Sequence, residues 1–344
     1  ISTPIIRPQK HFNTLIYTGN GSNGNKITGL EFKPDLVWFK CRSTTHNHDI
    51  YDSVRGANKR LIPNGTSAET SYSNLVQSFN EDGVTLGTAQ EMNQNSATYV
   101  AWCWKAGGAA VSNSDGAIAS SVSVNTEAGF SIGTFSGTGS TNTVGTGLSN
   151  TKVVILKNRT TNSTNWVFYH NIVDGSFDYM YLNLTNANSN SALTHTMTNT
   201  FKVGSNNDTN ASGSNYVFYA WEEVPGYSKM GKFTGNGNAN GPFIHTGFRP
   251  AFILFKNSST STNWEIYDTT RPYGVSNPAL RPIYANSNQA EEPHATLPLL
   301  DILSNGFKIR GTWDEFNKNG DTIVYVAFAE QPQSTSLGTQ SNAR

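Results

Sequence analysis

Two imidazoles and two carboxylates fall within seven residues, at His46-Asn47-His48-Asp49 and Asp52. Imidazole nitrogen and carboxylate oxygen are the ligands of zinc and related ions. On an extended strand His46 and His48 lie on one side. No histidine pair stands at the two later places where the flanking sequence returns, so the pattern reads as a solvated loop; no metal and no cofactor are expected. Paired acids occur at Glu222-Glu223, Glu291-Glu292 and Asp314-Glu315. Glycoside cleavage needs two carboxyls about 5 to 9 Å apart across a cleft. Neighbours on a strand point to opposite faces, so none of these pairs supplies that geometry alone. The sequence holds no Gly-x-Ser-x-Gly elbow, phosphate-binding loop or His-Glu-x-x-His motif. The chain is expected not to be an enzyme.

A sugar-binding kit is an aromatic face beside amides and carboxylates. Trp313, Asp314, Glu315, Phe316 and Asn317 carry it in one stretch and are the expected ligand-binding residues. Trp166 and Trp264 share a strand face with Phe168 and Ile266 by period two, which makes them core residues rather than stacking platforms.

These groups need a scaffold, and composition bounds it. Of the 344 residues only 14% are charged, and Lys+Arg equals Asp+Glu at 24 each. A neutral chain has no broad field for nucleic acid or anionic membrane, so neither is an expected partner. No apolar run approaches the ~18 residues that cross a membrane. Cys41 and Cys103 are no disulfide framework and are expected as free thiols. The start at Ile1, with no apolar leader after it, reads as a processed product or a piece of something longer.

The scaffold announces itself by repetition. An apolar run ending in lysine appears as Leu36-Val37-Trp38-Phe39-Lys40, Val153-Val154-Ile155-Leu156-Lys157 and Phe252-Ile253-Leu254-Phe255-Lys256. Each is preceded by Tyr17-Thr18-Gly19, Phe135-Ser136-Gly137 or Phe233-Thr234-Gly235. Each is followed by Asp49-Ile50-Tyr51-Asp52, Val167-Phe168-Tyr169-His170 or Glu265-Ile266-Tyr267-Asp268. A turn-strand at Asp82-Gly83, Asn199-Thr200 or Asn305-Gly306 comes next, and Tyr99-Val100-Ala101-Trp102, Tyr216-Val217-Phe218-Tyr219 or Tyr325-Val326-Ala327-Phe328 closes the unit. Five anchors in the same order, three times, define three copies of one domain about a hundred residues long.

Short β-rich runs between Gly, Asn, Ser and Thr turns predict an all-β chain of three tandem antiparallel β-sandwich domains, jelly-roll or concanavalin-like, with an immunoglobulin-like sandwich as the alternative. The expected divisions are 1–108, a linker at 109–120, 121–226, 227–332 and a polar tail at 333–344. Short helical turns are expected at 74–79 and 297–303. The Gly-, Ala- and Ser-rich stretch 105–121 reads as a flexible connector between beads on a string. The short join Glu222-Glu223-Val224-Pro225-Gly226 is expected to hold the second and third copies together more rigidly.

The first copy resembles a domain family that recurs in tail-fibre and other virion proteins of marine bacteriophages. The residues that carry the resemblance are Tyr17-Thr18-Gly19-Asn20-Gly21, Pro34-Asp35 with the run to Lys40, Tyr51-Asp52-Ser53-Val54-Arg55-Gly56-Ala57, Phe79 to Gly87, and Tyr99 to Gly108. Copies two and three keep the skeleton, and Cys41 stands where that family usually has asparagine. The resemblance implies a virion, extracellular location and supplies no catalytic residues. The expected function is a structural and adhesive component of a phage appendage, with other virion proteins and host-surface glycans as partners and a homotrimer as the assembly. The alternatives are a carbohydrate-binding module and a capsid decoration or head-fibre protein.

Overall fold

The computed structural model describes residues 7–271, 281–291 and 299–330, with the backbone of 278–279, 333–334 and 340–341. The chain is all-β, built from antiparallel sheets. Three of these repeat one strand order. In the first, β1 (Phe12–Thr18), β2 (Leu36–Cys41), β3 (Asp49–Asp52) and β4 (Thr98–Trp104) lie as β1-β4-β2-β3. In the second, β5 (Phe130–Ser136), β6 (Thr151–Asn158), β7 (Trp166–His170) and β8 (Asn215–Glu222) lie as β5-β8-β6-β7. In the third, β9 (Ser228–Thr234), β10 (Pro250–Asn257), β11 (Trp264–Asp268) and β12 (Thr322–Ala329) lie as β9-β12-β10-β11. Register repeats as well as order: Lys40 pairs with Val100, Lys157 with Val217 and Lys256 with Val324.

The apolar runs are unbroken because both faces of each sheet are buried. One face meets a smaller sheet. In the first unit Val37, Phe39, Ala101 and Cys103 pack on Ile27, Val84 and Leu86. The other face of all three sheets meets at one shared core. Leu36, Trp38, Trp102 and Trp104 lie there with Ile155, Phe168, Tyr219 and Trp221, and with Phe252, Leu254, Trp264 and Phe328. Phe252 of the third sheet touches Trp102 and Trp104 of the first at 5.8 and 5.7 Å between ring centroids. Phe168 of the second meets Trp264 of the third at 4.9 Å.

Beads on a string are therefore not what forms. The stretch expected as a flexible connector is ordered β-structure: Val111–Asn113 pairs with Ser120–Asn125, which extends the second sheet beyond β5. Low apolar content hid those strands, since they sit at a sheet edge and are held by backbone bonds. The helical turn expected at 74–79 is instead the strand Val76–Asn80, and 300–303 is the strand Leu300–Leu303; residues 297–298 lie outside the described ones. Cys41 and Cys103 are free and buried.

One core shared by three sheets couples their unfolding. Calorimetry is expected to show one transition for the chain, with Phe252→Ala lowering stability by about 3–5 kcal/mol through lost contacts on two sheets. Three resolved transitions, two of them indifferent to Phe252→Ala, would contradict the shared core.

Candidate functional site

The groups singled out by chemistry sit mostly at the seams between sheets. His48 is fully buried. Its Nδ1 accepts from Trp38 Nε1 at 2.8 Å and its Nε2 donates to the Tyr284 carbonyl at 3.0 Å, across the seam to the third unit. That pattern requires the neutral ring, and burial holds its pKa well below the usual histidine value. His46 points elsewhere, to Gln94 Oε1 at 2.9 Å. Asp49 is buried against Arg60 Nε at 2.8 Å. Asp52 takes Arg55 Nε at 2.5 Å and the Tyr219 hydroxyl of the second sheet at 2.7 Å. Among the described residues no cluster of three His, Cys, Asp or Glu side chains is placed to hold a metal ion.

The same seam geometry recurs around the molecule. Where the first unit has His48, the others have Trp166 and Trp264, whose Nε1 groups donate to the carbonyls of Ile62 at 2.8 Å and Tyr181 at 3.0 Å. Through these side chains unit one thus reaches into three, two into one and three into two. Backbone bonds cross the same seams: Glu69 N to Arg159 O at 2.9 Å, Asn188 N to Ser258 O at 2.8 Å, and Glu291 N to Arg42 O at 2.9 Å. Two of these seams are clasped by charge. Glu69 accepts from Arg55 Nη1 at 2.9 Å and, across the seam, from Arg159 Nε at 2.9 Å. Glu291 accepts from Arg42 Nε at 2.5 Å and lies 3.5 Å from Arg271 Nη1. The third seam has Asn188 and Ser258 there, and no such clasp among the described residues.

Lys40, Lys157 and Lys256 end their strands fully buried at these seams. Lys40 Nζ donates to the carbonyls of Cys41 and, from the third unit, Asn288. Lys157 Nζ donates to the carbonyls of Thr164 and, from the first unit, Thr66. Lys256 Nζ binds the Asn257 carbonyl and the Thr262 hydroxyl. Burial pushes their pKa values down to about 8, 8 and 7.

The expected sugar-binding stretch divides. Asp314–Asn317 forms a single helical turn. Phe316 is fully buried in the core of the third unit. Asn317 is buried too, and its Nδ2 donates to the carbonyls of Asn238 and Gly311 at 2.8 and 2.7 Å while its Oδ1 accepts from Asn236 N. These two residues have no face for a ligand. Trp313 and Glu315 are half-buried and Asp314 is exposed. Asn93 makes the equivalent bonds to the Ser22 and Gly87 carbonyls, and Asn210 donates to the Ser140 carbonyl and the Thr138 hydroxyl. This asparagine latch recurs in all three units and is a signal the sequence held: an Asn six residues before Tyr99, Tyr216 and Ile323, which share one register position. Glycine at 19, 137 and 235 completes it, since a Cβ there would lie 2.3 Å or less from the backbone oxygens of Gln94, Ala211 and Lys318.

A groove of about 730 Å³ opens between the first and second units. His11, Lys33, Asp35 and Lys105 of the first unit line it together with Gly107 to Ala110, Asn125 and Glu127. His11 accepts at Nδ1 from Asn125 Nδ2 at 2.9 Å, and burial lowers its pKa. Asp35 is held by Ser53 Oγ at 2.5 Å and Ala106 N at 2.7 Å, and burial raises its carboxyl pKa. Nothing in the sequence marks this groove, because its walls come from residues scattered over more than a hundred positions.

Two measurements follow from the seams. Glu69→Ala and Glu291→Ala each leave one seam arginine, Arg159 or Arg42, without its carboxylate and are expected to lower stability by about 3 kcal/mol, against about 1 kcal/mol for Asn188→Ala; equal costs at all three would contradict the clasps. The buried lysines set a pH dependence. Their folded pKa values lie below the ordinary 10.5, so the unfolded chain binds protons that the folded chain does not. Stability therefore rises with pH through this window, by up to about 1.4 kcal/mol per pH unit and lysine. Thermal melts are expected to move upward between pH 7 and 8.5, and Lys256→Met should flatten that slope; a falling midpoint would refute the assignment.

No curated protein and no solved structure matches the chain. One family model does, over residues 7–332, a span that takes in all three repeated sheets and their seams rather than a single copy. Its description is a domain of unknown function, DUF7483, and the chain belongs to that family.

Proposed function

We propose that the chain is a non-catalytic structural and adhesive block of a phage virion appendage, facing the exterior and joined to other virion proteins. In this reading the three repeated sheets and their smaller partners are three tandem β-sandwich domains of jelly-roll type. The observation that carries it is the use made of the reactive groups. His48, His170, Asp49, Asp52, Glu69, Glu291 and the three strand-end lysines are engaged in holding sheets and seams together. A molecule whose buried polar groups lock its parts to one another is suited to bearing load and presenting surface.

The expected homotrimer takes a different form in this proposal. The cyclic contacts of three like units inside one chain do what three chains do around a fibre axis, so the single chain is the assembly unit. The carbohydrate-binding alternative is favoured by the open groove at the first seam and by the half-buried Trp313. A capsid decoration or head fibre remains the third reading, and the same experiment separates it.

Antiserum against the purified chain is expected to label virion appendages in immunogold electron microscopy, and light scattering to give the 37.4 kDa of one chain. Labelling confined to the head would favour the decoration reading, labelling of no virion structure would end the proposal, and a threefold mass would restore the homotrimer.

A further inference from the structure

The cycle of like units is broken at one place. Between the second and third units the chain turns directly into β9, with Tyr227 N and Ser228 N both bonded to the Val224 carbonyl. Between the first and second it runs on through 105–119 and adds the strands Val111–Asn113 and Ser120–Asn125 before β5. The groove has wall residues from both sides of this break.

Its polar groups are unevenly matched. Lys105 is exposed and makes no ion pair among the described residues, and Lys33 reaches only Glu81, at 4.0 Å with both side chains half or more in solvent. Lys33, Lys105 and the carboxylate of Asp35 all line the groove. Asp35 already accepts from Ser53 and Ala106, so its oxygens serve the wall. Gly107 N donates to Ser123 Oγ, while the N–H groups of Gly108 and Ala109 donate to no described group. Gly108 has φ +83°, a left-handed turn that glycine adopts without strain. Two exposed ammonium groups and two amide donors therefore line the groove without a close partner. Glu127, 3.6 Å from His11 Nε2 and 62% exposed, lines the groove as well and can accept from hydroxyls. Formal charge across the groove nearly cancels, so recognition here is by pairing at short range and not by a long-range field.

We propose that this groove binds an acidic saccharide, with its carboxylate held between Lys33 and Lys105 against the Gly108 and Ala109 amides and its hydroxyls toward Glu127. The saccharide half of the assignment rests on the surface-recognition role proposed above; the carboxylate half stands on the groove alone. It gives the module a ligand class and locates recognition at a seam rather than at a loop tip.

The test is NMR titration of the full chain with oligogalacturonate, galactose and sodium sulfate in parallel. Oligogalacturonate is expected to shift the amides of Val54, Ala106 and Gly108, galactose to leave them unmoved, and 0.5 M salt to weaken the shifts. Lys33→Ala with Lys105→Ala should weaken binding at least tenfold. Both side chains are exposed, so an unchanged melting midpoint keeps that loss from being read as unfolding. Unmoved groove amides, or full affinity in the double variant, would overturn the site. Sulfate binding as tight as oligogalacturonate would overturn the saccharide and leave an anion site. Virion labelling is read separately: appendage labelling with no oligogalacturonate binding removes the groove assignment and keeps the structural role.

Discussion

Burial of one face of three sheets in a common apolar core is the constraint from which the other features follow. A sheet that buries both faces needs an unbroken apolar run in its strands, and β2, β6 and β10 carry such runs at 36–39, 153–156 and 252–255. A core at the centre also brings the ends of those strands to the seams, where lysine and arginine must find carbonyls and carboxylates out of water. Lys40, Lys157 and Lys256 find carbonyls, and Arg42 and Arg159 find Glu291 and Glu69. The buried charges thus follow from where the strands end.

The repeated strands were legible because their signal is local and recurs. Lysines 40, 157 and 256 fall at one register position, but the closing anchor of the third copy is two residues out: Ile323, not Tyr325, stands at the register of Tyr99 and Tyr216. The packing of the units on one another was not legible. A strand that buries its second face against a small sheet and its first against two other units has the same apolar pattern as one buried in an isolated sandwich. Trp166 and Trp264 were readable as core residues, yet their indole N–H groups mark the seams, which only the cycle of partners reveals. Trp313 to Asn317 had the composition of a sugar site. Composition does not say which residues of a one-turn helix point inward, and Phe316 and Asn317 do.

The family match and the packing agree on the size of the unit. A model that runs from 7 to 332 in one span treats the three copies and their seams as one object. That is also the object whose core cannot be divided without exposing Trp102, Phe168 and Phe252 to water.

Threefold geometry written into one chain has a consequence that a homotrimer cannot share. In a homotrimer each substitution appears at all three corners at once. Here each corner has its own codons, so a loop can change at one corner while the other two stay as they are. The added hairpin at 111–125, the unclasped seam at Asn188 and Ser258, and the single half-buried Trp313 are three such local departures on one scaffold. The outer surface of this molecule is free to carry three different faces around a centre that cannot vary.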